Sequence, residues 1–128
     1  MEGNTKPQKP KKGSKARAYR LIQEIAVARD KVCQHPECMK RVDCGHHTWP
    51  RAWMGTAFEP DSIVGYCAEH HQWAHSHRTE HLRILGRKIG EGRIVELNKR
   101  AHSVVRNLDM DAVCEFLEKV LRAYRRAG

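Results

Sequence analysis

The chain has 128 residues, 24 of them Lys or Arg and 15 Asp or Glu, for a net charge of +9. That length holds one domain, and no apolar run approaches the roughly 20 residues that cross a bilayer, which excludes a membrane span. Eight aromatic residues make a thin core, and small chains of this kind often need a staple. Five Cys, an odd number, argue for a metal rather than a disulfide framework.

Residues 1–13 combine Lys, Pro and Gly with no apolar period, and read as a disordered basic arm. No apolar stretch follows it, so a secretory signal is not expected. Tyr19, Ile22, Ile25 and Ala26 recur at helical spacing and predict a helix over 14–31, with Ser14 as its cap. Residues 32–66 are rich in Gly and Pro, with brief strands predicted near 42–48 and 62–66. Residues 67–77 lack both Gly and Pro and read as a helix. A helix follows over 78–89, interrupted at 90–92 and resumed over 93–105. Asp109 caps a last helix to about residue 126. Its stripe of Val113, Phe116, Leu117, Val120, Leu121 and Tyr124 predicts core packing, with a dimer interface as the alternative, so the chain is expected as a monomer or a homodimer.

Charge is unevenly distributed. Residues 1–32 carry +6, residues 33–77 carry −2, and residues 78–128 carry +5. The basic flanks point to a polyanion, and nucleic acid is the default partner. The middle holds seven of the nine His and four of the five Cys, and its negative balance suits cations.

Two kinds of ligand pattern occupy that middle. Cys33 and Cys38 flank a tight loop containing Pro36, and Cys67 and His70 form a C-x2-H pair. Zinc takes four thiolate or imidazole ligands in a tetrahedron, and the two pairs together supply them. Cys44 is a rival ligand and His35 a weaker one. Cys114 lies far off and reads as packing. The second pattern is all imidazole. His71 and His75, four apart, share one helical face. His46 and His47 are adjacent on a strand, so their side chains point to opposite faces. His46, His71 and His75 therefore make a three-point site for a divalent ion. His47 is left over and able to take a proton from water.

The run from Cys44 to Arg51 (CGHHTWPR), followed by residues 58–75 (FEPDSIVGYCAEHHQWAH), resembles the HNH endonucleases. The resemblance covers about 45 residues from Cys33 to His77. It implies an α+β fold with a small ββα-metal core (HNH, or His-Me finger), zinc-stapled loops and flanking α-helices. The arm would then be residues 1–13 and the nuclease domain residues 14–128, with its core at about 33–77 and a helical extension over 78–128. By the same resemblance His47 is the general base, and His46, His71 and His75 hold the catalytic ion, Mg2+, Mn2+, Ni2+ or Zn2+. Arg51 stands near the scissile phosphate, and Ser62 occupies the place of the family's central Asn. Cys33, Cys38, Cys67 and His70 hold a structural Zn2+. DNA is the implied substrate, gripped by Lys9, Lys11, Lys12, Lys15 and Arg51, in the cytoplasm of a bacterial or phage-infected cell. Ser has a shorter reach than Asn and no amide donor, so a non-catalytic, zinc-stabilised nucleic-acid-binding module of the same fold is the alternative. Trp49, Trp53 and Trp73 are expected to pack around the zinc and the helix, with stacking on bases as the other possibility.

Overall fold

A computed structural model describes residues 12–128. The residues Lys9 and Lys11, and most of the basic arm, lie outside the described residues. Helix α1 spans Ser14–Asp30, and its residues Ala18, Leu21, Ile22, Ile25 and Ala26 are all buried on one stripe. Its start differs from expectation. Gly13 takes the cap position with φ of 84°, a left-handed conformation that glycine adopts freely. Ser14 sits inside the first turn, and its hydroxyl donates to Asp111.

Strand β1 (Cys44–His47) pairs antiparallel with β2 (Ile63–Tyr66), Cys44 opposite Tyr66 and His47 opposite Ile63. Every residue of β2 is buried. Side chains alternate along a strand, so β2 serves two apolar clusters at once. Ile63 packs with α1 and Phe58, whereas Val64 and Tyr66 pack with Trp49, Leu85 and Leu97. Gly45 lies where α1 meets the sheet. A Cβ there would come within 2.5 Å of Ile63 Cδ1 and 2.9 Å of Ala26 Cβ, so only glycine permits this approach.

Helix α2 (Ala68–Ser76) leaves β2 directly through Cys67, its N-cap. The Cys67 sulfur accepts the His70 amide at 3.4 Å, and the Asp43 carboxylate accepts the Ala68 amide at 2.8 Å. These contacts satisfy amides that the first helical turn leaves open. Helix α3 (Arg78–Ile89) and helix α4 (Glu91–Ala101) are separated by Gly90 alone. The break is therefore shorter than predicted: Gly92 lies inside α4. That helix also ends four residues early, and Val104 and Val105 beyond it are exposed, so little apolar burial supports a continuation. Helix α5 (Met110–Ala127) starts at the predicted Asp109 cap, whose carboxylate accepts the Ala112 amide. It packs along α1 through Met110, Cys114, Leu117 and Leu121. Phe116 departs from the expected stripe and is 54% exposed.

One buried carboxylate ties these layers together. Asp30 accepts from Arg29 Nε at 2.8 Å, Lys88 Nζ at 2.8 Å and the Gly65 amide at 2.7 Å, linking α1, α3 and β2. Burial alone would raise its pKa, but the hydrogen bonds and charges of Arg29 and Lys88 outweigh burial and hold it below the ordinary carboxylate range. The architecture is α+β, a two-stranded antiparallel sheet flanked by helices. Among the described residues no helix is long and apolar enough to cross a membrane.

Candidate functional site

Two clusters of metal-ligating side chains form on this frame. In the first, the ligand atoms of Cys33, Cys38, Cys67 and His70 all lie within 4.8 Å of one another. A tetrahedral zinc, with bonds of about 2.3 Å to sulfur and about 2.0 Å to nitrogen, sets a sulfur–nitrogen edge of about 3.5 Å. The sulfurs of Cys33 and Cys67 stand 3.5 and 3.3 Å from His70 Nδ1, which fits that edge. Burial would raise the Cys67 thiol, but the amides of His70 and Glu69 at the start of α2, with the neighbouring thiols, bring it below the usual range. Burial pushes the Cys33 thiol up to about 11. The rival ligands fall outside the set. His35 stacks face-on against His70, ring centroids 3.9 Å apart. Cys44 instead forms part of a cavity wall beside His46.

The second cluster joins His46 of β1 to His71 and His75 of α2, again with ligand atoms within 4.8 Å. The i, i+4 spacing puts the last two on one helical face, and their rings lie 5.3 and 4.7 Å from the His46 ring. His46 is 6% exposed. Burial, then the positive charge that neighbouring histidines can carry, pushes its pKa down to about 3. It is therefore neutral at pH 7, and its Nδ1 is buried with no partner among the described residues. A buried ring nitrogen without a partner, beside two further imidazoles, fits a bound cation. Beneath it lies fully buried His81, whose ring is 4.7 Å from that of His46. Its two nitrogens are engaged by the hydroxyls of Thr48 and Tyr66, at 2.8 and 2.7 Å.

His47 points to the other side of β1. Its Nε2 donates to the Ala57 carbonyl at 3.1 Å. A carbonyl only accepts, so Nε2 carries the proton and Nδ1 keeps a free lone pair. Burial lowers the His47 pKa, opposed by the Ala57 bond and helped by Arg51 and His71. Ser62 lies behind this arrangement and takes no part in the cavity wall. It is 1% exposed, and its hydroxyl is within 2.8 Å of the carbonyls of both Thr56 and Glu59. It thus braces the loop that carries Ala57.

His46, His47, His71 and His75 line one cavity of about 640 Å³. Arg51 and Arg78 also line it, and among the described residues no Asp or Glu does. The Arg51 guanidinium lies 4.0 Å over the Tyr19 ring, and Arg78 donates to the Thr48 carbonyl. Gln23 clamps Gly45 from α1, its amide oxygen accepting the Gly45 N–H at 2.7 Å and its amide nitrogen donating to the Gly45 carbonyl at 3.1 Å. Of these groups, Tyr19, Gln23, Arg78 and His81 were not singled out from the sequence as site residues. Tyr19 and Gln23 are four apart on α1, a spacing that signals a shared face but not what the face meets.

The remaining predicted residues lie elsewhere. Lys12 lines a separate cleft with Arg17, Asp111 and Glu118, and Lys15 is exposed on the first turn of α1. Trp49 is buried and donates to Asn98, and Trp73 packs edge-on to His35 and His70, as expected of packing residues. Trp53 is 38% exposed and meets His102.

Compared with described protein families, curated proteins and solved structures, the chain matches none. Among the described residues the chain is α+β with two Cys/His clusters able to hold metal ions, one of them opening on a cavity without carboxylates.

Proposed function

We propose that the chain is a metal-dependent endonuclease of the HNH type, hydrolysing phosphodiester bonds in DNA. The observation that carries this reading is the pairing of the His46, His71 and His75 cluster with His47, whose Nε2 is committed to a carbonyl and whose Nδ1 is free. The order β1, β2, α2 around the imidazole cluster, with the Cys33, Cys38, Cys67 and His70 site beside it, also supports it.

The residues have separate tasks. His46, His71 and His75 would hold the divalent ion, whose charge would offset the negative charge that builds up as a phosphodiester is hydrolysed. Three imidazoles suit Zn2+, Ni2+, Co2+ or Mn2+ better than Mg2+. His47 Nδ1 takes the proton of the attacking water, and the products carry a 5′-phosphate and a 3′-hydroxyl. Arg51 meets the substrate's phosphate. Ser62 acts through the loop, keeping the Ala57 carbonyl where it fixes the His47 ring. Lys9, Lys11, Lys12 and Lys15 contact the backbone without regard to sequence, and these contacts weaken with salt. Cys33, Cys38, Cys67 and His70 hold a structural zinc.

The test is plasmid nicking in Mg2+, Mn2+, Ni2+ and Zn2+ with an EDTA control. His47→Ala is expected to lower the rate about 10²–10⁴-fold, leaving DNA affinity and metal content intact. Retained cleavage by that variant refutes the role of His47. DNA binding without product in any ion would instead favour a non-catalytic zinc-stabilised binder.

A further inference from the structure

Among the described residues the cavity wall contains two arginines and four histidines but no acid. Neither Arg51 nor Arg78 has a carboxylate partner among the described residues. Two guanidiniums kept free of counter-charge beside imidazoles make an anion-receiving surface, and a planar guanidinium suits phosphate.

Arg51 is exposed on a turn just after Pro50, where a long side chain ordinarily samples many rotamers. Here one residue of α1 holds it twice. The Tyr19 hydroxyl donates to the Arg51 carbonyl at 2.9 Å, and the Tyr19 ring lies 4.0 Å beneath the guanidinium. Tyr19 is itself fixed, its ring 4.8 Å from that of Phe58. It also stands edge-on to His47, centroids 6.4 Å apart. The Tyr19 ring therefore fixes the guanidinium relative to the imidazole.

We infer that Tyr19 is a positioning residue, holding the Arg51 guanidinium in the cavity wall to receive a phosphate of bound nucleic acid. The inference rests on the nuclease reading for the identity of the ligand. The position of Tyr19 over Arg51 does not depend on that reading. Tyr19 acts only through Arg51, so its effect vanishes when the guanidinium is gone.

A double-substitution cycle tests this. Tyr19→Leu, Arg51→Gln and the combination are compared with the unsubstituted chain for affinity to a fluorescent 20-base-pair duplex, and for kcat/KM where cleavage occurs. Tyr19→Leu is expected to weaken binding about fivefold when Arg51 is present, and less than about twofold in the Arg51→Gln background. Tyr19→Phe keeps the ring over the guanidinium and is expected to restore most of the loss, while the coupling to Arg51 is the readout that a general packing defect would not give. Equal losses in both backgrounds, or no loss in Tyr19→Leu, overturn the inference. A coupled cycle in binding with no cleavage in any ion refutes the nuclease reading alone. Cleavage with additive losses refutes the positioning role alone. A chain that binds no duplex refutes both.

Discussion

Ser62→Ala separates a brace from a catalytic contact. The Ser62 hydroxyl lies 2.8 Å from the carbonyls of both Thr56 and Glu59, and the residue is 1% exposed. Each of those carbonyls also accepts a backbone amide, from Glu59 at 3.1 Å and from Ser62 itself at 2.9 Å. Alanine therefore leaves no acceptor orphaned and removes one shared hydrogen bond, a cost of about 1 kcal/mol. For a chain of this size that lowers Tm by about 3–5 °C. Against a total stability of about 5–15 kcal/mol, the folded fraction at 25 °C is unchanged, so any loss of cleavage reports loop geometry. Ala57 lies within the braced loop and fixes His47. A small displacement of a reacting group costs one to two orders of magnitude, so kcat is expected to fall about tenfold with KM unchanged. The assay is single-turnover plasmid nicking beside a thermal melt. A lowered Tm with an unaltered rate refutes the link from Ser62 to His47. A loss matching that of His47→Ala would mean that Ser62 touches the reacting atoms.

Asp30→Asn keeps the shape and loses the charge facing Arg29 and Lys88. It should destabilise by about 3 kcal/mol in urea titration. The folded Asp30 pKa lies below the unfolded value of about 3.9. The difference between the two proteins should accordingly hold steady above about pH 4 and shrink as pH falls further. A difference that does not change down to pH 3 refutes that assignment. Stripping metal with a chelator should unfold the region around Cys33, Cys67 and Trp73, since structural zinc contributes about 10–16 kcal/mol in small domains; an unchanged near-ultraviolet circular dichroism spectrum counts against the staple. Thr56 Oγ1 is buried with no partner among the described residues. Thr56→Val should leave stability unchanged or raise it, by about 1 kcal/mol at most, and a clear loss of stability shows a hidden partner.

The candidate metal ligands were legible partly because two of their pairs are spaced locally, and because Cys and His are few enough in kind for the remaining members, Cys33, Cys38 and His46, to be picked out by residue type. His71 and His75 are one helical turn apart, and Cys67 and His70 bracket a helix start, so secondary structure alone brings each pair together. The strands and the Asp109 cap were legible for the same reason. Residues delivered by tertiary packing left no such mark. Tyr19 reads as one more apolar position on α1, and nothing local shows that Arg51, 32 residues later, lies across its ring. His81 reads as a polar interruption of α3 until Thr48 and Tyr66 are seen to engage both of its nitrogens. Phe116 fits the apolar period of α5, yet the helix turns it outward.

Charge summed along the chain misleads at the site itself. The middle segment is −2, and its acids were expected to favour cations. None of those acids lines the imidazole cavity. Glu59 pairs with Arg93 and Arg100, Asp61 with Arg93, and Glu69 with Lys40, while Asp43 caps α2. Imidazole ligands are neutral, so they lower none of the charge of a bound divalent ion. With Arg51 and Arg78 beside a divalent ion, an occupied cavity would carry a formal charge of about +4. Such a site favours an anionic occupant and discourages further cations. On the nuclease reading proposed above, a strand that lays consecutive phosphates along the cavity meets this charge, and its affinity should fall steeply as salt rises.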